Sequence, residues 1–266
     1  NTPEPPTATH TPDMPEAERV ALQIVSSNAE WGNLVGEDGY TREFSGVEMV
    51  LVPTGCFVMG NDSAALNGGD EDGGEQCFDE PFWIDKTEVT QVDFERLGGE
   101  QADPPDFDGA NRPVEQITWF EARDFCALRG GRLPTEAEWE YVARGPDELL
   151  FPWGNDWDAN NAVWNRSSSQ GTVDVGSIIA GASWVGALDM SGNVWEWTRS
   201  VYEDYPYVAS DGREADLGEE TDVLYTLRGG SWYTSNNENL RSATRYGNYP
   251  FNRLSNVGFR CVLSYE

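Results

Sequence analysis

The sequence predicts an α+β domain with two main helices, short strands and an unusually large share of irregular structure. Three observations lead to that prediction. Apolar runs between positions 44 and 60 are typical of paired strands. Two segments near the middle of the chain carry helix-capping signatures. After residue 150, short aromatic stretches are separated by Gly, Asn, Asp and Ser, which favours loops and short strands over helices.

The first strands are predicted in FSGVEMVLVPTGCFVMG, which has the form of a strand, a Pro-Thr-Gly turn and a second strand. An acidic, Gly-rich loop, NDSAALNGGDEDGGEQ, follows, and CFDEPFWIDKTEVT is expected to return as another strand. A short helix is then predicted from Thr90 through Phe94, ended by Gly98 and Gly99.

The two main helices are predicted in TWFEARDFCALRGG and PTEAEWEYVARG. Thr118 and Glu121 stand three residues apart at the start of the first helix, and Thr135 and Glu138 repeat the spacing in the second. This spacing is that of a capping box, in which each side chain satisfies a backbone N–H of the first turn. Both segments close on glycine, as helix ends often do.

Residues 228–261 combine two kinds of position in RGGSWYTSNNENLRSATRYGNYPFNRLSNVGFRC. Fixed pieces such as Arg-Gly-Gly-Ser-Trp and Gly-Phe-Arg-Cys alternate with runs of Asn, Ser, Thr, Tyr and Gly. Loops favour Asn, Ser and Gly in any case, but loops with no contact to make seldom carry five aromatic residues. Tyr and Trp supply contact area at low entropic cost, while Ser, Gly and Asn supply adaptable hydrogen bonds. The segment therefore predicts a binding surface.

Net charge narrows the range of partners. The chain carries a formal charge of −30 with only one lysine, Lys86. Such a field repels phosphate backbones and anionic lipid, so nucleic acid is excluded as a partner. The simplest reading of the acidity is solubility, and a salt-rich habitat is the alternative. No apolar run approaches the roughly 20 residues that span a bilayer.

The amino-terminal sequence NTPEPPTATHTPDMPEAE is rich in Pro and Thr and contains the only histidine, His10. It predicts a flexible tether, and residues 1–43 are assigned to this tether and its lead-in, with the domain over 44–266. The opening resembles the stalk left after removal of a signal peptide or a lipid-attachment segment. We therefore expect an extracytoplasmic protein, secreted or tethered to the cell surface, with membrane contact only through such a lost lipid anchor.

The number of cysteines also favours an extracytoplasmic location. Four cysteines suit two disulfides in an oxidising environment, and four buried free thiols in a cytosolic protein are the alternative. Their positions are Cys56, Cys77, Cys126 and Cys261.

Seven motifs in order, from about Val47 to Val262, resemble the formylglycine-generating enzyme family, or sulfatase-modifying factors. They are FWIDKTEVT, RPVEQITWFEARDFC, GGRLPTEAEWEYVARG, FPWGN, DMSGNVWEW, LRGGSWY and NVGFRCV. The resemblance implies a single domain with an elaborated C-type-lectin-like fold. It also implies a disulfide between Cys126 and Cys261, which leaves Cys56 to pair with Cys77.

The same resemblance indicates that the family's redox chemistry is absent. Its oxidases carry two further cysteines after the GGS motif and bind copper(I) through their thiolates. Here that stretch is GGSWYTSNNENLRSATR, without cysteine. The related sulfoxide synthases bind iron through three histidines, and a serine triad also needs a histidine in the fold. We therefore expect no enzyme activity and no redox cofactor. A formylglycine-type oxidase acting on protein cysteine is the alternative.

Structural calcium is the one metal that the resemblance implies. Hard cations need six to eight oxygen ligands, which carboxylates and turn carbonyls supply. A second family site would use the stretch around Asn161 and Val163, but the following segment is shorter here than in the enzymes. The expected ligands at the first site, two carboxylates and two backbone carbonyls, are Asp189, Glu196, Gly192 and Val194.

The final segment also resembles the variable proteins of diversity-generating retroelements, in which mutation of template adenines scatters Asn codons on a lectin-like scaffold. Positions 233–237, 246–249 and 254–256 are rich in residues that an Asn codon reaches by changing adenines alone. Glu238 cannot arise in this way and would be a framework residue or a departure from the pattern. The sequence therefore predicts a non-catalytic protein that displays a diversified surface.

The expected partner is a protein or glycan ligand. The expected binding residues are Trp232, Tyr233, Thr234, Ser235, Asn236, Asn237, Asn239, Thr244, Tyr246, Gly247, Asn248, Tyr249, Phe251, Asn252, Leu254, Ser255 and Asn256. A surface that tolerates exchange of its side chains needs a backbone fixed by other residues. The residues expected to fix it are Gly229, Gly230, Arg241, Arg245, Phe259 and Arg260.

Overall fold

The computed structural model describes residues 14–36, 38–60, 72–215, 217–220 and 222–265. The helices are α1 (Glu16–Ala21), α2 (Asn28–Val35), α3 (Gln91–Arg96), α4 (Trp119–Leu128) and α5 (Glu136–Arg144). The strands are β1 (Thr41–Phe44), β2 (Val47–Val52), β3 (Gly55–Gly60), β4 (Asp72–Phe78), β5 (Phe82–Asp85), β6 (Trp195–Val201), β7 (Tyr225–Arg228), β8 (Arg245–Asn248), β9 (Val257–Gly258) and β10 (Val262–Ser264). No described helix has the length and apolar character that would carry it through a membrane.

Three sheets organise the strands. The first is antiparallel in the order β1-β2-β5-β10, and β3 and β4 form a separate hairpin. The third has the order β8-β7-β6-β9, in which β9 runs parallel to β6. The predicted strands β2 and β3 are confirmed. The single strand predicted in CFDEPFWIDKTEVT is wrong, because the segment contains the end of β4, a bend and then β5.

Both main helices begin with the predicted capping box. The Thr118 hydroxyl accepts from the Glu121 N–H while the Glu121 carboxylate accepts from the Thr118 N–H, and Thr135 and Glu138 repeat the pattern. The short helix is also confirmed, with Thr90 as its N-cap. Every residue of α5 is buried, including its charged ones. This helix therefore lies inside the domain, and its charges need partners there.

The structure forms both disulfides that the family resemblance implied. Cys56 and Cys77 face each other across the β3–β4 hairpin. Cys126 of α4 bonds Cys261, which precedes β10. This second bond closes a loop of 135 residues. It joins the middle of the chain to the end of the segment 228–261.

The amino-terminal prediction needs correction. Residues 1–13 and His10 lie outside the described residues, but the last part of the expected tether begins helix α1. Trp31 of α2 is fully buried, and Ala21 and Val25 join the same core cluster. The domain therefore includes residues before 44, and the predicted boundary falls inside β1. A few apolar side chains, rather than the surrounding Pro and Thr, decide where the fold begins.

Candidate ligand-binding surface

The segment 228–261 begins with a turn that only glycine accommodates easily. Gly229 and Gly230 follow the last residue of β7 with φ angles of +94° and +75°. These values lie in the left-handed region, where a side chain is strained. A Cβ at position 230 would also lie 2.4 Å from a side-chain carbon of Leu240. The turn leads into a 3₁₀ turn, Asn237–Leu240, and then into β8.

Two arginines of the segment form ion pairs with α5. Arg228 is fully buried, contacts the Glu140 carboxylate and donates to two backbone carbonyls of the segment at 2.9 and 2.8 Å. Arg245 donates to both oxygens of Glu136, at 2.6 and 2.8 Å. Burial alone would raise the pKa of Glu140, but Arg228 and Arg144 lower it below its usual value. The paired charges hold the segment on α5.

A third arginine, Arg260, anchors the end of the segment. Its Nε and Nη2 donate to the two oxygens of Glu196, both at 2.7 Å. Its Nη2 also donates to the carbonyl of Leu188 at 2.9 Å, and Trp139 Nε1 donates to Glu196 Oε2 at 2.8 Å. Arg260 and Glu196 are both fully buried. Removing one partner would leave the other charge uncompensated inside the protein.

The other expected frame residues differ in burial. Gly229, Gly230 and Phe259 are buried, whereas Arg241 is half-buried with its guanidinium 5.7 Å from the centre of the Phe151 ring. The segment therefore has a largely buried frame.

Five large side chains of the segment are exposed, and we call them the aromatic face. Their exposed fractions are Tyr233 65%, Phe251 52%, Tyr246 47%, Tyr249 45% and Leu254 40%. The Tyr249 and Phe251 rings stack with centroids 5.6 Å apart, while Tyr246 lies 6.1 Å from the Trp195 ring. Large apolar side chains that stay exposed in a folded protein are candidates for contact with a partner.

The remaining expected binding residues have smaller side chains and divide by burial. Ser235 and Asn236 are exposed. Half-buried positions are Thr234, Asn237, Asn239, Gly247, Asn252, Ser255 and Asn256. These residues surround or separate the members of the aromatic face along the chain.

Three of the expected binding residues are buried, which corrects their assignment. Trp232 is 4% exposed and donates through Nε1 to the carbonyl of Ser255 at 3.1 Å. Thr244 is fully buried, and its hydroxyl donates to a backbone carbonyl. Asn248 is 7% exposed and accepts from the side chain of Asn252 at 2.6 Å. All three support the surface instead of contacting a ligand, because the sequence pattern cannot separate inward from outward positions in an irregular segment.

The surface also depends on residues that the sequence analysis missed. The Phe107 ring packs edge-on against Trp232, with centroids 5.3 Å apart. The Phe107 N–H donates to Glu115 Oε1 at 2.8 Å, and Glu115 is fully buried. Burial raises the pKa of Glu115 to about 7. The stretch DPPDFDG around Phe107 was an available signal, since an aromatic residue among aspartates in a Pro-rich loop is unusual in a solvated turn.

The residues expected to bind calcium do not fit that ion. Both oxygens of Glu196 accept from Arg260, so a guanidinium already occupies the position of a cation. The Val163 carbonyl of the second expected site accepts from the Asn193 N–H. Among the residues that the structure describes, no group of three or more His, Cys, Asp or Glu is arranged to hold a metal. Glu196 is therefore corrected from a metal ligand to an ion-pair partner.

Asp189 lies in the same buried cluster as Glu196 and has a different role. Its Oδ2 accepts from the Gly176 N–H at 2.5 Å. Burial raises the pKa of Asp189 above its usual value. Burial, followed by the neighbouring Asp189 and Glu196, also raises the pKa of Glu88 well above its usual range. Arg260 is thus the cation shared by three buried acids, Glu196, Asp189 and Glu88. The acids that are not paired with it directly favour the neutral, protonated form.

This surface contains no free cysteine that could carry out thiol chemistry. All four cysteines of the chain are in disulfides. None lies between Gly229 and Arg260. The segment instead presents hydroxyls, amides and aromatic rings, which suit contact and hydrogen bonding rather than electron transfer.

Comparison with known proteins places the chain among relatives with and without activity. A family model described as "Sulfatase-modifying factor enzyme 1-like domain" matches residues 37–265. "Inactive C-alpha-formylglycine-generating enzyme 2" of Bos taurus is 36% identical over 164 residues, which are 56% of this chain and 50% of that protein. "Formylglycine-generating enzyme" of Mus musculus is 27% identical over 296 residues, covering 86% and 78%. The chain spans about half the length of the bovine relative.

Two solved structures share the fold. PvdO from Pseudomonas aeruginosa superposes with a TM-score of 0.70 at 24% identity, covering 86% of this chain and 99% of that one. Treponema denticola variable protein 1 gives 0.64 at 22% identity, covering 85% and 99%. At these identities the likeness concerns architecture alone. Together with the family model, it confirms the predicted single α+β domain of the formylglycine-generating-enzyme type.

Proposed function

The chain belongs to the sulfatase-modifying factor enzyme 1-like family, and from that premise we propose that it is a non-catalytic protein that binds a protein or glycan ligand. Contact is made by the aromatic face. The observation that carries the proposal is the exposure of five large side chains, 40–65% each, on a backbone whose arginines are buried in ion pairs. Large rigid rings on a fixed backbone bind with little loss of entropy.

The absence of catalysis is supported by the cysteines. The copper(I) chemistry of the family's oxidases needs a thiolate pair after the GGS motif, and this chain has none there. Incubation with a cysteine peptide bearing the family's substrate motif, copper(I) and oxygen is expected to yield no aldehyde. An aldehyde formed at a rate above the protein-free control would contradict this part of the proposal.

We further propose that the segment is one member of a diversified set and that the protein works outside the cytoplasm. The first proposal rests on the Asn-rich runs between fixed motifs, and the second rests on the two disulfides. The neighbouring DNA tests diversification. We expect a near-copy of the stretch encoding residues 232–256, differing mainly at adenines, beside a reverse transcriptase gene. Genomic DNA without such a copy would contradict it.

A display experiment tests the binding function. One library randomises five exposed positions, and a matched library randomises five buried ones. The exposed set is Tyr233, Ser235, Tyr246, Tyr249 and Leu254. The buried set is Ser231, Trp232, Thr244, Asn248 and Phe259.

Both libraries are displayed on yeast, scored for protease resistance and panned against lysozyme, streptavidin and ubiquitin. We expect most members of the exposed library to resist protease and some to bind a target, because exposed substitutions shift stability by only about 0.5 kcal/mol. Few members of the buried library should resist. Equal losses in both libraries, or no binder from the exposed one, would contradict the proposal.

A further inference from the structure

We propose that the ligand is a protein with a basic contact surface, selected by an acidic loop beside the aromatic face. The loop, residues 103–108, contains Asp103, Asp106 and Asp108, and we call it the acidic flank. This inference rests on the proposed binding function and names the chemistry of the partner. It commits to a cationic protein surface, so a partner without basic groups is an outcome that would overturn it.

The acidic flank is attached to the segment 228–261 at three points. Asp103 Oδ2 lies 3.2 Å from Arg253 Nε. Asp106 Oδ2 accepts from the side chain of Gln116 at 2.9 Å, and the Gln116 N–H in turn donates to the carbonyl of Leu254 at 3.1 Å. The third point is the Phe107 ring, which packs against Trp232 directly before Tyr233. These contacts fix the aspartates beside two members of the aromatic face.

Exposure leaves the aspartates available to a partner. Asp103, Asp106 and Asp108 are all exposed, and the Asp103 side chain retains 64% of its accessible area despite its ion pair. Asp108 forms no hydrogen bond or ion pair within the described part of the chain. Two further exposed carboxylates are Glu238, which lies within the segment 228–261, and Glu203. The backbone carbonyl of Glu203 accepts from Arg245, the neighbour of Tyr246.

The positive charges of the segment do not offset this field. Its arginines Arg228, Arg245 and Arg260 are buried in ion pairs with carboxylates. Arg253 is shared between Glu121 and Asp103. Arg241 is half-buried against Phe151. The face therefore combines exposed rings with three exposed aspartates on one side, in a chain of net charge −30.

Lysine and arginine side chains complement this arrangement. Their charge steers association toward a negative surface and suppresses encounters with anionic molecules. Their cations also stack favourably on tyrosine rings such as Tyr246 and Tyr249. The acidic flank lies outside residues 228–261, so this selection persists whichever side chains occupy the aromatic face. In this proposal the aromatic face recognises the shape of the ligand, and the acidic flank selects its charge.

The test uses random peptides of about twelve residues, displayed on phage and panned against the immobilised full chain at low salt. Clones are kept only if they bind the wild-type chain and lose binding to the Tyr246→Ala/Tyr249→Ala variant. Each retained peptide is then measured, at an ionic strength of about 0.1 M, against two triple variants that lose the same charge. One variant, Asp103→Asn/Asp106→Asn/Asp108→Asn, neutralises the acidic flank. The control, Glu43→Gln/Asp79→Asn/Glu80→Gln, neutralises three exposed carboxylates that precede residue 81 and lie outside the flank.

We expect the retained peptides to be enriched in Lys and Arg over the starting library. Neutralising the acidic flank should weaken them about tenfold, and the control triple should change affinity less than about twofold, because exposed charges act mainly within about 10 Å at ordinary salt. A thermal melt checks the flank variant. If it is destabilised, Asp108→Asn alone replaces it and should weaken binding more than the matched single control Asp79→Asn does.

The outcomes separate the two proposals. Retained peptides without basic enrichment, or equal weakening by both triples, would overturn the basic-partner inference and leave the binding function standing. If no clone depends on Tyr246 and Tyr249, the proposed binding function is overturned and this inference with it.

Discussion

Two adjacent residues of β8 have opposite environments. Arg245 is 2% exposed and forms two hydrogen bonds with Glu136 of α5. Tyr246 is 47% exposed, and its ring centroid lies 6.1 Å from that of Trp195. Successive side chains of a strand point to opposite faces. One face of the same strand therefore anchors the segment, and the other is available to a ligand. Arg245 therefore contributes to stability, whereas its neighbour Tyr246 is placed to contact a ligand.

The same separation extends through the segment 228–261. Its frame consists of Arg228, Arg245 and Arg260, which are bound to carboxylates of α5 and β6. Its face consists of four exposed rings, two of which stack on each other, and the exposed Leu254. A change in the face removes little buried area, whereas a change in the frame leaves a buried charge without its partner.

Arg260→Ala is expected to lower the free energy of unfolding by about 3–5 kcal/mol, the usual cost of breaking a buried ion pair on one side. The variant would leave Glu196 fully buried beside Glu88 and Asp189, two further acids. Urea denaturation followed by circular dichroism measures the effect. Arg19→Ala is the control, because its ion pair is 3.9 Å long and exposed, and it should cost less than about 0.5 kcal/mol. Equal effects of the two substitutions would contradict the importance of burial.

Glu115→Gln is expected to make the protein more stable than the wild type above pH 7, because the glutamine side chain stays neutral there. The folded state raises the pKa of Glu115 from its ordinary 4.5 to about 7, chiefly by burial. Wild-type stability is therefore lost as pH rises from about 4.5 to 7, where the unfolded chain releases this proton first. Melting temperatures of both proteins across this range should diverge with rising pH. Parallel curves would show that Glu115 ionises normally.

Tyr249→Ala and Phe251→Ala are each expected to change stability by less than about 0.5 kcal/mol. Both side chains are about half exposed, and their main partner is each other. Binding of any ligand recovered on the aromatic face should weaken by about 1 kcal/mol or more for each substitution if the rings are anchors. A loss of several kcal/mol of stability would instead place these rings in the core.

Calcium is expected to leave the melting temperature unchanged. A ligand stabilises a protein only by binding its folded state, and Arg260 already neutralises Glu196. Melting curves with excess calcium and with a chelator should coincide. A shift that disappears in Asp189→Ala would show that the ion displaces the arginine and that the family's metal site is functional here.

The sequence was most informative where one local pattern decides the outcome. The capping boxes at Thr118 and Thr135 located both main helices, since the cap is formed by residues only three apart. The motif order also indicated the fold and the disulfides. By contrast, the strand prediction failed between β4 and β5, because a bend around Asp79 interrupts a run that remains apolar on both sides.

Burial in the final segment could not be predicted in the same way. Trp232 and Tyr233 are adjacent aromatic residues in one run, yet one is 4% exposed and the other 65%. The difference arises from Phe107, more than 120 residues earlier in the chain, which covers Trp232. The ion pair at the residues expected to bind calcium was also hidden in the sequence, since Arg260 is distant in sequence from Glu196 and meets it only in the fold. Long-range contacts decide both cases.

The most direct test of the division between frame and face compares Arg245→Ala with Tyr246→Ala by urea denaturation. The two positions are adjacent on one strand, so they share backbone, strand pairing and distance from the disulfide. The account predicts that Arg245→Ala lowers the free energy of unfolding by about 3 kcal/mol or more, because Glu136 loses its main partner inside the protein. Tyr246→Ala should change it by less than about 0.5 kcal/mol. Equal losses, or a greater loss for Tyr246→Ala, would contradict the separation of stability from recognition.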